Sequence, residues 1–578
     1  MKKSSKQFRR AILPVSILAA MAFSGSANAF KIDTDNEDLD VRWDNTIRYN
    51  AGWRMQDPAY YQSGSAVVGA SESKWKSGDM ITNRFDDLSE FDFIYKKDTG
   101  FRVSAALWYD SVYDGNAPRT GGPLNNLGSL LFPGGKWNND VSRWYGKGGE
   151  ILDAFVFTKF DLGSVPVNVK LGKHTIYWGE TLFSITNGIA VGQSAIDLRK
   201  AAATPGVEAK EVFLPEQQLS FSAQISPELT IMGQYFLDWH PDRIMEGGTY
   251  FSAADFLWDT HNSNTLGLIP LAGWNGTQGT VKEKSGAWGI AAKWRPEWLD
   301  GTAGFYYREY YPTAGRQLAI SVANFKASYV WDRDVPRTKL YGVSLSKQLF
   351  GISFGTDVSY KKDNVIGANA FSMYNGFGVP ATGWAPIADT YGFTQNMIAY
   401  DGKRNIPFTD VNMYDSAVLL AEFEYGAIDK ITKNAGNAFQ TGTLNTNPGI
   451  GAGCNITSRG GARNGCGTNG FYGINISFEP KWFQVFPGTD VTMPIFFGKG
   501  LHGNSFSYGP IEGAGGFSVG VAADVDAKYN FKLAYNGYLL KHTGYVQPTV
   551  PAGSGAANAG LGDFSHKGNL SFTAKATW

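Results

Sequence analysis

The residues with the most chemistry to offer are crowded into one stretch. Lys173, Glu180, Asp197, Arg199, Lys200, Glu208 and Glu211 fall in a segment that breaks the pattern on either side of it. Charges of both signs in a confined, wet passage select solutes, and Lys173-His174 beside Glu180 is equipment that proton transfer would use. One histidine near one glutamate is common, however. The six histidines of the chain (174, 240, 261, 502, 542 and 566) form no pair at metal-ligand spacing. Gly516-Phe517-Ser518-Val519-Gly520 matches the serine-hydrolase elbow in letters, but that elbow needs a sharp strand-to-helix turn. Here alternation runs straight through Ser518. No phosphate-binding or dinucleotide loop occurs in the right context. The expectation is a protein without a catalytic centre, metal or cofactor.

The elements around these residues say how they are held. After an apolar-alternating run, Val165–Leu171, comes Trp178-Gly179-Glu180, then Ser194-Ala195-Ile196-Asp197, which reads as a capping box. The helix it opens runs to about Ala203 and stops at Thr204-Pro205-Gly206. The spacing predicts that residues 174–216 fold inward as a constriction rather than standing on an outer surface. A second charged set lies on two earlier strands: Arg42, Arg48 and Arg54, then Arg84, Asp86, Glu90, Asp92 and Lys96. Opposite charges on adjacent strands would pair inside a polar interior, either as an eyelet that selects solutes or as a ladder that satisfies it.

Both sets need a wet inside and a greasy outside, and period-2 alternation supplies it. Leu39, Val41, Trp43, Ile47, Tyr49, Ala51 and Trp53 fall on one face; Asp40, Arg42, Asp44, Thr46, Arg48 and Asn50 fall on the other. The same pattern returns at Phe517–Tyr529 and at Phe572–Trp578. Many such runs exceed the average soluble strand of about five or six residues and suit the about 9–11 tilted residues that cross hydrocarbon. Eight short connections alternate with nine long polar loops. That arrangement predicts an all-β transmembrane antiparallel barrel of about 18 strands, closed because lipid satisfies no backbone group. Dropping the two weakest strands, near 391–401 and 470–480, would give 16.

Residues 1–29 read as an export signal. Lys2, Lys3, Lys6, Arg9 and Arg10 precede the apolar run Ala11–Phe23 and the small-x-small site Ala27-Asn28-Ala29. Residues 30–578 would then be the barrel. Those five basic residues are offset by no acidic ones, so the remainder carries 47 basic against 52 acidic residues, net −5. This argues against a nucleic-acid partner. Cys454 and Cys466, the only cysteines, would staple one loop in an exported protein.

The order of segments resembles the Gram-negative outer-membrane family catalogued as domain of unknown function 1302. The resemblance lies in Leu171-Gly172-Lys173-His174 with Trp178-Gly179-Glu180, in Asp197-Leu198-Arg199 with Pro205-Gly206 and in Glu211 to Pro215. It continues through Gln234-Tyr235, Asp238-Trp239, Tyr250-Phe251-Ser252 and Asp255-Phe256 to Tyr341-Gly342-Val343-Ser344, Glu424-Tyr425-Gly426 and Asp563-Phe564. Lys173-His174 stands where Arg-Gln is expected, and 391–415 is shorter than expected. The resemblance implies an outer-membrane barrel that works beside a periplasmic partner and an RND-type inner-membrane transporter, on hydrophobic or lipid-like small molecules. The function expected is therefore a channel or gated transporter. A structural component of an envelope complex is the alternative, and a lipid-acting enzyme stands behind it.

Overall fold

The computed structural model describes residues 31–57, 74–118, 135–252, 284–313, 335–367, 385–406, 410–438, 468–507, 509–539 and 566–578, with a few short strand pieces elsewhere. Cys454, Cys466 and all of residues 1–29 but the piece Gln7–Arg9 lie outside the described residues.

Eighteen antiparallel strands close into one barrel. In chain order they are β1 (Leu39–Arg54), β2 (Met80–Tyr95), β3 (Thr99–Asp110), β4 (Lys147–Leu162), β5 (Val165–His174) and β6 (Glu216–Ser226). Next come β7 (Leu229–Phe236), β8 (Trp288–Trp294), β9 (Gly301–Tyr310), β10 (Thr338–Leu349), β11 (Ile352–Val365) and β12 (Ile387–Asp401). The last are β13 (Ser416–Lys433), β14 (Gly470–Phe486), β15 (Thr489–Thr492 and Ile495–His502, interrupted at Met493-Pro494), β16 (Gly515–Val525), β17 (Tyr529–Leu539) and β18 (Asn569–Thr577). Each strand pairs with the next in sequence, and β18 returns to β1 from Thr46↔Thr577 to Arg54↔Asn569. The two strands whose pattern was weakest are present as β12 and β14, at 15 and 17 residues. The count is 18, not 16.

Alternation decides which side chain faces where. Along β1, Trp43 and Ile47 are 48% and 42% exposed on the outer face, whereas Arg48 on the inner face is 2% exposed. Phe531 and Leu533 of β17 face out, and Ala534 beside them is buried. An outer band of this kind would be a liability in water and is the surface that hydrocarbon solvates. Large apolar side chains also fringe the short-turn end: Leu162, Trp298, Phe350, Tyr400 and Phe486 are all well exposed at or beside those turns. One tight turn, Phe350-Gly351, has both residues in the left-handed region (φ 53 and 78), the geometry a two-residue hairpin between twisted strands requires. Ser518 sits in the middle of β16, paired with Phe496 on β15 and Asn536 on β17. It has no elbow around it.

The outward orientation of β17 can be tested by charge. Leu533→Arg is expected to lower the stability of the barrel by about 2–4 kcal/mol, the cost of arginine near the bilayer midplane. The measurement is urea-titrated refolding into lipid vesicles. A loss under about 1 kcal/mol would mean that Leu533 does not meet lipid.

Candidate functional site

His174 and Glu216 are partners across the β5–β6 ladder, so the chain between them is an excursion from a completed hairpin. It is held by inward-facing residues of strands all round the barrel. Two short helices lie in its second half, α1 (Leu198–Ala203) and α2 (Ala209–Val212). Asp197, not Ser194, caps α1: its carboxylate accepts the amides of Arg199 and Lys200 at 3.0 and 3.1 Å. The capping signal was therefore read one turn early. The helix nevertheless stops at Ala203, ahead of Pro205. α2, absent from the sequence reading, carries a capping box between Glu208 and Glu211.

This half is bound to β1, β2, β4 and β18 by ion pairs. Arg48 of β1 holds Glu211 at 2.8 Å, with both side chains buried, and also approaches Asp86 of β2 at 3.7 Å. Lys210 pairs with Glu90 of β2, Lys575 of β18 lies 3.5 Å from Glu208, and Lys200 lies 2.6 Å from Glu150 of β4. Arg243, in the stretch after β7, bridges Glu150 at 2.7 Å and Asp197 at 3.0 Å, and Glu246 takes Arg199 at 2.7 Å. The indole of Trp144 has the guanidiniums of Arg143, Arg199 and Arg243 at 4.7, 4.3 and 4.5 Å from its ring centre, within cation–π range.

The first half is held differently, by charged wall side chains on its backbone. Asp357 of β11 accepts the Glu180 amide at 2.9 Å and the Thr181 hydroxyl at 2.8 Å. Glu422 of β13 accepts the amides of Leu182, Phe183 and Ser184 at 2.5, 3.0 and 2.6 Å. Arg308 of β9 donates to the carbonyls of Ile189 and Val191 at 2.8 and 2.7 Å, and Lys361 of β11 to that of Thr186 at 2.9 Å. Close approach requires glycine. Gly179 has φ +94, and a Cβ there would meet Asp357 at 2.5 Å; a Cβ on Gly392 of β12 would meet the Asn187 carbonyl at 2.4 Å.

Of the residues singled out from sequence, Arg48 and Glu211 pair with each other across the segment-to-strand boundary and Asp86 joins them through Arg48, while Glu90, Lys200 and Glu208 cross it to Lys210, Glu150 and Lys575. Asp197 and Arg199 pair with each other and with Arg243 and Glu246. Arg84 pairs with Asp86 on its own strand at 2.8 Å, and Asp92 takes Arg102 of β3 at 2.6 Å. Two lie elsewhere. Arg42 is half exposed near the short-turn end and pairs with Asp40. Lys173 belongs to β5, whose alternation runs to His174, so it shares the outward face with Leu171 and donates to the Ile151 carbonyl at 2.6 Å. His174 points inward but is occupied by the Gly172 carbonyl and the Ser220 hydroxyl, not by Glu180. The sequence reading missed Glu150, Lys210, Arg243, Glu246, Arg308, Asp357, Lys361, Glu422 and Lys575. The signal that would have found the strand members is a charge at inward parity within an alternating run, whether or not another charge stands beside it.

Electrostatics fixes the charge states. Burial would raise the Glu211 carboxyl, but the Arg48 charge overrides this and holds it at about 2. Asp197 behaves likewise: burial opposes ionisation, and Arg199, Arg243 and Lys200 together pull it well below the usual carboxylate range. At Glu180 burial wins: Lys293 offsets it only in part, and the carboxyl is raised. Between the segment and the wall lies a cleft lined by Ile176, Tyr177, Ile185, Val191, Phe213 and Tyr310, with Lys361 and Asp242 as its charged members.

Comparison with known proteins places the chain by sequence profile. The family described as "Protein of unknown function (DUF1302)" matches residues 10–577. No curated protein matches the sequence. Among solved structures, OccAB1 of Acinetobacter baumannii is 10% identical over 96% of this chain and 98% of its own, with a TM-score of 0.41. OccAB4 of the same organism is 9% identical over 94% and 100%, with a TM-score of 0.40. OccK9 (OpdG) of Pseudomonas aeruginosa is 11% identical over 94% and 98%, also at 0.40. At these values they bear on neither substrate nor mechanism.

Glu211→Gln leaves the Arg48 guanidinium buried without its closest anion, a cost of about 3–5 kcal/mol. The expected outcome is release of 198–212 from the wall, read as new thermolysin cuts there under native conditions. Because the Glu211 carboxyl is depressed to about 2, its contribution is present above the unfolded carboxylate value and is lost only as pH falls towards 2. The wild-type protein should therefore stay uncut from pH 7 down to about 4, with pepsin replacing thermolysin at the acid end. Cutting of the wild type within that range would contradict the pairing.

Proposed function

The chain belongs to the DUF1302 family, and on that premise we propose that it is an outer-membrane channel or gated transporter constricted by residues 175–215. The observation that carries this reading is that inward charges of β1, β2, β4, β9, β11, β13 and β18 are committed to that one excursion. A barrel of this size is wide enough for a water-filled passage; a segment fastened to opposite walls reduces it to clefts. The ion pairs at Arg48, Glu90, Glu150 and Glu211 act as anchors of the constriction, because charges already paired with one another have little left to select a solute. The membrane assignment is supported by the outer apolar band and its aromatic fringe. Export through a cleaved signal at 1–29 follows from the sequence pattern.

The solute class is hydrophobic or lipid-like small molecules. Its support is the apolar side of the cleft, Ile176, Tyr177, Ile185, Val191, Phe213 and Tyr310, which faces Gln193, Asp242, Lys361 and Asn364, together with the family resemblance. A periplasmic partner and an RND-type inner-membrane transporter belong to the same reading on the strength of that resemblance.

Flux tests the constriction. The protein is reconstituted in liposomes, and solute entry is compared for the wild type and for a variant in which 189–211 are replaced by a short Gly/Ser linker. The variant is expected to pass small polar solutes that the wild type holds back. Equal flux through the two would remove the constriction from the mechanism.

A further inference from the structure

Glu216 opens β6 at the rim where the excursion rejoins the wall, and Asp238 and His240 lie just beyond β7. Their ligand atoms all come within 4.8 Å of one another. The stretch that carries them is fixed independently. The Leu237 amide donates to the Gln217 carbonyl at 2.8 Å, and the Trp239 indole donates to the Tyr311 carbonyl at 3.2 Å. The Gln217 amide also donates to one oxygen of Asp238 at 2.9 Å. Glu216 is 3% exposed. Its Oε2 takes His240 Nδ1 at 2.7 Å, while its Oε1 is buried with no hydrogen-bond partner. A carboxylate oxygen withdrawn from water and given no donor is anomalous in a folded protein, and a cation is the group that satisfies it.

We propose that Glu216, Asp238 and His240 form a site for a divalent transition metal of the Zn²⁺ class. One imidazole nitrogen with two carboxylate oxygens suits such an ion better than Ca²⁺ or Mg²⁺, which take oxygen ligands. Three protein ligands leave a position for water, as in open zinc sites. The metal replaces the hydrogen bond between His240 and Glu216 and meets the orphaned oxygen with positive charge. Lys173 is the nearby cation that works against binding, and its ammonium is turned away onto the Ile151 carbonyl. The placement gives the site a purpose. The residues that follow His240 hold the excursion through Arg243 to Asp197 and Glu246 to Arg199, so a bound ion ties the return of the excursion to the stretch that clamps it.

Sequence spacing hides this cluster, because Glu216 is brought to the other two only by the β6–β7 pairing. The test is independent of the transport reading. Tag-free, full-length protein in detergent is stripped with EDTA and titrated with Co²⁺, then with Zn²⁺. The expected result is a visible d–d absorption band that saturates near one equivalent and is abolished by Zn²⁺. His240→Ala and Asp238→Asn should each weaken binding by at least about 10-fold, the loss seen even for outer-shell ligand partners. The His240 side chain is 55% exposed, so its removal leaves the barrel folded, which unchanged heat-modifiable gel mobility verifies. Wild-type binding no tighter than that of the two variants, or no band at all, overturns the site.

Discussion

A charge on the inner wall that meets residues 175–215 must find a counter-charge or a backbone dipole there, because protein replaces the water that would otherwise solvate it. That constraint organises the molecule. On one side the answer is ionic: Arg48, Glu90 and Glu150 meet Glu211, Lys210 and Lys200. On the other side it is dipolar: Asp357, Glu422, Arg308 and Lys361 each turn an ionisable side chain onto amides or carbonyls of a segment with little regular structure of its own. A stretch with few internal hydrogen bonds is stable in the interior only because the wall supplies them. The wall charges are affordable for the reciprocal reason. Removing either party leaves the other buried and unsatisfied, which is far costlier than either would be alone in water.

The barrel itself was legible because its rules are local. Side-chain alternation is a property of neighbours two apart, and the short connections announce themselves by Gly, Pro, Asp and Asn between apolar runs. The strands and their order therefore followed from reading along the chain. What the excursion touches did not follow. Glu422 and Leu182 are 240 residues apart, and Lys575 and Glu208 are 367 apart; no periodicity spans such distances. Glu211, Lys200 and Arg48 stood out because they are charges in conspicuous company. Asp357 and Glu422 passed unnoticed because each is an acid inside an ordinary strand, far in sequence from the amides it meets. The errors were also local in kind. Ser194 offers a plausible cap three residues before Asp197, and Lys173 presents its charge to the constriction only if β5 stops at Leu171, whereas its alternation runs on to His174.

The glycines give the same lesson from the side of shape. Gly342, Gly392 and Gly426 lie on the inner faces of β10, β12 and β13, and a methyl group on any of them would press on Ile189 or Asn187. Two of these belong to short stretches, Tyr341-Gly342-Val343-Ser344 and Glu424-Tyr425-Gly426, that carried the family resemblance. Those letters have a steric meaning: they are the recess in the wall that receives the excursion.

The pairing of His174 with Glu216 has a consequence for how the molecule is built and how it changes. Since the hairpin is complete without the forty-odd residues between them, the cylinder can zip shut with that stretch still dangling at the mouth, and no end of the polypeptide ever has to be threaded. Diversification is the other face of the same arrangement. An insert of this kind looks like a cassette, free to be exchanged at its two neighbouring attachment points. Yet a new cassette would strand Asp357, Glu422, Arg308 and Lys361 facing nothing, so insert and cylinder are bound to drift together.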